Sequence, residues 1–135
     1  MAIDYGRKRT GIAISDENRI IANPLKTLGT KDIFIFLEDY LRKEIVDVIV
    51  VGYPKQMNNK PSESVGLIES FCRKLMKVYP GVVIDQYDER FTSKIASRVI
   101  ATSGLKRKDR QSKELIDQVS AVLILQSYMH YLTNK

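Results

Sequence analysis

The chain has one cysteine and one histidine among 135 residues. A lone Cys72 cannot form an intrachain disulfide, and Cys72 with His130 is too small a set for structural zinc, so oxidised scaffolds and zinc fingers are excluded. One histidine also removes most Ser-His-Asp and Cys-His catalysis, because His130 sits near the end of the chain on what reads as the polar side of a helix. Hydrolysis, if this chain performs it, rests on carboxylates. Long apolar runs are missing as well. The longest uncharged one, Val48 to Val51, is far short of the roughly 20 residues that span a bilayer. Residues 1–16 carry Asp4 and Asp16 where a signal peptide would be apolar, which predicts a cytoplasmic protein with no membrane partner. Aromatic residues interleaved with basic ones for base stacking are not evident.

What is present is an ordinary globular composition, 44% hydrophobic and 28% charged, with 22 Lys and Arg against 16 Asp and Glu. A chain of this size buries roughly two-thirds of the surface its unfolded form exposes, enough for a core without staples. No repeat, linker or low-complexity tract divides it, so residues 1–135 read as a single domain. The formal charge of +6 favours a polyanionic partner.

Met1-Ala-Ile-Asp4 is apolar up to a carboxylate, Tyr5 to Arg9 supplies a turn, and Thr10 to Ser15 reads as a second strand. Asp16-Glu-Asn18 gives another turn, and Arg19 to Pro24 a third strand whose proline favours an edge or a strand end. Thr30 is placed to cap a helix with Ile33, Phe34, Leu37 and Leu41 at helical spacing. Residues 46–51 read as a buried strand and 82–87 as a further strand. Between them Ser62 or Ser64 caps a helix carrying Val65, Ile68, Phe71, Cys72 and Leu75 along one side, and Pro80-Gly81 stops it. Residues 92–102 read as a helix, 104–111 as a basic loop, and Ser112 as the cap of a long final helix. A three-strand antiparallel meander followed by alternating strands and helices predicts a five-stranded mixed α/β sheet flanked by helices.

Three acidic positions lie where an acid is locally inconvenient. Asp4 ends an apolar strand, although an Asx turn into Gly6 would account for it alone. Asp88-Glu89-Arg90 follows the second parallel strand, and open α/β sheets handle ligands at the carboxyl ends of their strands. Adjacent residues point in different directions, so one of the two acids shares a face with Asp4, and Glu89 is favoured over Asp88. Asp117 falls on an apolar helical stripe with Ala121, Ile124, Tyr128 and Leu132, while Ser120, Gln126, Ser127 and His130 gather on the other side. It lies past the first helical turn, where the dipole alone would favour an acid.

Carboxylates gathered at a core's edge need a positive partner, and hard oxygen ligands without His or Cys point to Mg²⁺ or Mn²⁺. Two such ions are the standard means of activating water and stabilising the leaving oxygen in phosphodiester cleavage. The basic residues fit a phosphate backbone. Arg7, Lys8 and Arg9 follow Asp4, Arg90 follows Glu89, and Lys106, Arg107, Lys108, Arg110 and Lys113 lead into the helix of Asp117.

The segments Ile3 to Asp16, Gly52-Tyr-Pro54, Asp88-Glu-Arg-Phe-Thr92 and Asp117 with Ala121 together resemble the YqgF/RuvX family of RNase H-like nucleases, in order over nearly the whole chain. The resemblance implies the five-stranded mixed sheet, Asp4, Glu89 and Asp117 as catalytic metal-binding acids, and a role in maturing the 5′ end of the small-subunit ribosomal RNA precursor. Structured RNA is then the expected partner, with branched DNA as the alternative because family members are also described as Holliday junction resolvases. A monomer or a dimer is compatible with these readings.

Two departures from the family pattern stand out. Only three residues precede Asp4 where the family has more, which predicts a first strand of about four residues and a start lying upstream. Gln56-Met-Asn-Asn59 replaces an Asp-Gly type turn, though Asn58-Asn59 can adopt positive φ and keep the turn. Two competing functions differ in class. Asp4-x-Gly6 with Gly11 also resembles the phosphate loop of actin-like ATP-binding proteins, which need a second domain that 135 residues do not supply. A ribosome-assembly module that binds RNA without cutting it keeps the same fold.

Overall fold

A computed structural model describes residues 1–53, 63–88 and 113–133, with the side chains of 63, 64 and 113–117 excepted. The strands are β1 (Ala2–Tyr5), β2 (Arg9–Ser15), β3 (Ala22–Gly29), β4 (Val48–Tyr53) and β5 (Val83–Asp88), and the helices are α1 (Ile33–Lys43), α2 (Glu63–Val78) and α3 (Lys113–Thr133). They form one sheet in the order β3-β2-β1-β4-β5. The first three strands are antiparallel, and β4 and β5 run parallel to β1. This is the mixed sheet the sequence predicts. The expected helix at 92–102, basic loop at 104–111 and turn at 56–59 lie outside the described residues, as does Ser62. Ser64 lies within α2 rather than capping it.

Strand alternation divides the core in two. Ile3, Ile12, Ile49 and Val51 face α1 and α2, meeting Leu37, Ile68, Phe71, Cys72 and Leu75. On the other face Ala2, Ala13 and Val50 meet Ala121, Ile124, Leu125, Tyr128 and Met129 of α3. The sheet is small-residued on that side and α3 supplies the bulk, so the helix can approach closely. Ser120 is a correction: it is buried at 1% exposure rather than on the polar side, and Leu132, placed on the apolar stripe, is 37% exposed. The arc of α3 that meets the sheet takes in Leu125 and Met129.

The third strand also departs from expectation, starting at Ala22 rather than Arg19 and continuing to Gly29. The Asp16 carboxylate accepts the N–H groups of Ile20 and Ile21 at 2.7 and 2.9 Å, which holds its pKa below the usual carboxylate value and keeps residues 17–21 in the turn. Arg19 there has φ 57°. Pro24, on the edge strand, needs no ladder partner for a missing N–H, and the register slips between Ile12 and Ala13 so that Leu25 is the extra residue.

Thr30 is a second correction, since it caps no helix. It opens a single 3₁₀ turn before α1. Its hydroxyl donates to the Gly6 carbonyl at 2.6 Å and therefore accepts from the buried Thr10 hydroxyl at 2.8 Å, while its N–H donates to the Lys8 carbonyl at 3.0 Å. These bonds pin the β1–β2 turn to the end of β3. Gly6 donates its own N–H to the Arg9 carbonyl at 3.0 Å. A Cβ on Gly6 would lie 2.5 Å from that carbonyl oxygen. Gly6→Ala is therefore expected to destabilise the protein by about 1–3 kcal/mol, the usual scale of overpacking, read as a lower midpoint in urea; an unchanged midpoint would show that the turn can open.

Candidate active site

The direction of α3 sets the geometry. Its C-terminal half lies at the start of the parallel strands, where Leu125, Tyr128, Met129 and Leu132 share a cavity of about 530 Å³ with Met1 and Val48. Tyr128 donates its hydroxyl to Asp85 of β5 at 2.8 Å, and burial together with this bond pushes the phenol up to about 12. The C-terminal half of α3 occupies the amino-terminal end of β1 and β4, with Tyr131 also meeting Tyr87 of β5, and the N-terminal half of the helix continues away from it; Asp4 and Asp88 lie at the carboxyl ends of their strands. The cavity is at the opposite end and contributes nothing there.

Asp4 is half-buried on β1, on the face covered by α3, because it alternates with Ala2 on that side and Ile3 and Tyr5 on the other. Tyr5 stacks on Phe71 at 4.1 Å between ring centroids, fastening this end of β1 to α2. Across the sheet Asp4 pairs with Gly11 of β2. The parallel register, Ile3 opposite Val51, sets Gly52 of β4 on its other side. Both neighbours of Asp4 on the α3 face thus lack a side chain, and both are buried. The Asp4 carboxylate is thus flanked on this face by two positions without side chains, which form a glycine notch.

Asp88 belongs elsewhere. Tyr87 packs with the α3 cluster and Asp85 meets Tyr128, whereas Ile84 packs against the α2 side. Alternation puts Asp88 on the α2 side with Gln86 and Ile84, the face opposite Asp4. Glu89 lies outside the described residues. Position 117 lies on α3, one turn before the buried Ala121, in the N-terminal half of the helix; its side chain is not described.

Arg7 and Lys8 are exposed in the β1–β2 turn at this same end, Arg9 opens β2, and Lys113 opens α3. Lys31, which the sequence reading missed, is exposed in the 3₁₀ turn that Thr30 ties to Gly6. No signal short of the β3 register would have found it. Gly11 and Gly52 as the walls of the Asp4 notch were missed for the same reason. Arg90, Lys106, Arg107, Lys108 and Arg110 lie outside the described residues. Among those described, no three His, Cys, Asp or Glu side chains gather as a metal-binding group. Asp4 between two glycines offers one hard oxygen ligand of the kind a divalent ion such as Mg²⁺ takes.

Residues 1–131 match the RuvX family model, described as Holliday junction resolvase. The chain belongs to the RuvX family. Among its relatives, a Bacteroides fragilis protein is 52% identical over 129 residues, covering 96% of this chain and 94% of the relative. A Flavobacterium psychrophilum protein is 50% identical with the same coverage. A Parabacteroides distasonis protein is 48% identical over 96% of this chain and 92% of its own length. Each is named "Putative pre-16S rRNA nuclease". Coverage this complete in a RuvX chain includes β1 with Asp4, β4 with Gly52 and the whole sheet-facing arc of α3. None of the described helices is long and apolar enough to cross a membrane.

Proposed function

We propose that this RuvX chain is a divalent-metal-dependent nuclease that hydrolyses a phosphodiester bond of structured RNA in maturing the 5′ end of precursor 16S ribosomal RNA, in the cytoplasm. The observation that carries the reading is Asp4 between Gly11 and Gly52 on the face of the sheet that α3 covers, in a chain about half identical to relatives bearing that name.

Asp4, Glu89 and Asp117 would hold Mg²⁺ or Mn²⁺. The ions supply an activated water and charge stabilisation at the departing oxygen. Three acids from three separate segments can each contribute oxygens without a His or Cys, as these ions prefer. The placement of Asp88 on the far face supports Glu89 as the second acid. Arg7, Lys8, Arg9 and Lys113, with Arg90 and the Lys106 to Arg110 stretch, would bind the phosphate backbone and hold the scissile bond against the acids without reading sequence.

The family description favours a second substrate, branched DNA. The test is cleavage of precursor 16S RNA and of four-way junction DNA, each with Mg²⁺, Mn²⁺ or EDTA. Metal-dependent cutting of the RNA supports the proposal. Paired cuts in the junction alone, made by a dimer, would replace it with the resolvase reading, and tight RNA binding with no cutting would replace it with an assembly module.

A further inference from the structure

We propose that Lys31 binds a backbone phosphate of the nucleic acid and is held in register with Lys8 by Thr30, so that the 3₁₀ turn before α1 and the β1–β2 turn form one basic rim. The inference rests on the RNA-hydrolysing reading above and names a further contact for that substrate.

The other lysines whose side chains are described have a local function. Lys43 pairs with Asp39 at 3.3 Å. Lys26 and Lys74 lie over the rings of Phe36 and Phe34, at 5.6 and 4.3 Å from the centroids. Lys77 stands in the last turn of α2, where the helix dipole favours a cation. Lys8 and Lys31 are exposed, and among the described residues neither side chain has an ion pair, a hydrogen bond or a ring contact. Asp32, next to Lys31 in sequence, turns its carboxylate back toward Gly29, where a Cβ would lie 3.5 Å from its Oδ2. Two cations side by side repel, and an anion that joins them turns that repulsion into attraction.

Thr30 is what brings the two lysines together. Its N–H donates to the Lys8 carbonyl at 3.0 Å, and its hydroxyl donates to the Gly6 carbonyl at 2.6 Å while accepting from the Thr10 hydroxyl at 2.8 Å. The bond to Lys8 carries the β2–β3 ladder one step past the pairing of Arg9 with Gly29, so Lys31, the next residue, is set beside the turn that presents Lys8. With both backbones fixed before the ligand arrives, only the lysine side chains are left to order on binding. Thr10 shares its face of the sheet with Ile12, on the α1 side, whereas Asp4 lies on the α3 side. The phosphate that Lys31 takes therefore flanks the bond presented to Asp4 and is not the one cut. A contact of this kind fixes the position of the backbone without reading its sequence.

The experiment is binding of a fluorescent duplex RNA to the full chain in EDTA, read by anisotropy over a series of salt concentrations. Lys31→Ala is expected to bind several-fold more weakly at low salt and to flatten the slope of log K against log salt by roughly 0.7–0.9, the share of one phosphate contact. Lys77→Ala, which removes an exposed lysine from α2, is expected to keep the wild-type slope, and this separates a contact from net charge. Thr30→Val keeps every charge and the shape of the side chain but loses the hydroxyl; it is expected to flatten the slope too, and Thr30→Ser, which retains both hydroxyl bonds, to restore it. A wild-type slope in Lys31→Ala, or equal losses in Lys31→Ala and Lys77→Ala, would overturn the proposal and leave the acid-based reading standing. A wild-type slope in Thr30→Val protein that is folded by its urea melt would overturn the part given to Thr30. A wild type that binds neither the duplex nor precursor 16S RNA would overturn both the proposal and the reading it rests on.

Discussion

Asp4→Asn protein is expected to fold as the wild type does and to cleave about 10³-fold more slowly in saturating Mg²⁺, the scale on which one preorganised charge-stabilising group acts. The fold should survive because Asn is isosteric, keeps one acceptor oxygen and leaves the pairing of Asp4 with Gly11 to the backbone. No methyl or larger group enters the notch, so the approach of α3 is undisturbed. Metal-free wild-type protein would hold Asp4 near other acids, and removing one charge from such a group relieves repulsion rather than creating it. The rate should fall because an amide oxygen is a far poorer ligand for Mg²⁺ than a carboxylate, and the charge it fails to hold in place is needed most in the transition state. Single-turnover cleavage and a urea melt of the same preparation check both halves. Full activity would remove Asp4 from the chemistry, and a collapsed melt with activity lost in proportion would make it a structural acid.

The parts of this molecule that were legible in the sequence are those written as contiguous pattern. Strands β1, β2, β4 and β5 are short apolar runs bounded by turn residues, and they fall within about two residues of where such runs predict them. β3 was displaced because its start is decided by the Asp16 carboxylate, which captures the N–H groups of Ile20 and Ile21, and its interior carries a proline that an edge position tolerates. Thr30 has a capping residue's chemistry and spends it on Gly6 and Thr10, a choice made by the return of β3 alongside β2. Ser120 was assigned to the polar side because a helical wheel centred on Asp117 and Tyr128 does not know how wide an arc the sheet will cover. The glycine notch is the clearest case of what pattern cannot give. Gly11 and Gly52 are 41 positions apart and act by having no side chain, so they become a feature of the Asp4 site only when β2 and β4 are known to flank β1.

The second large effect concerns binding rather than chemistry. Replacing Lys106, Arg107, Lys108 and Arg110 with Ala removes four of the 22 basic residues from a chain whose formal charge is +6, and does so in one short stretch leading into α3. In sequence the stretch leads into α3, which packs on the face of the sheet that carries Asp4. If the four side chains contact phosphates, each loss releases fewer counterions on binding, and the slope of log K against log salt flattens by roughly 0.7–0.9 per contact. Affinity at low salt should then fall steeply and equally for RNAs of unrelated sequence, because phosphate contacts position the backbone without reading it. Cleavage at saturating RNA should change little, since the acids and their ions are untouched; the cost appears in KM. This pattern is the converse of the one for Asp4→Asn, which loses turnover and keeps affinity, and measuring both variants on one substrate separates a nucleic-acid contact from a metal ligand. A salt slope in the quadruple variant equal to that of the wild type would return residues 106–110 to a solvated stretch and move the phosphate-binding role to the β1–β2 turn, where Lys8→Ala becomes the measurement that decides.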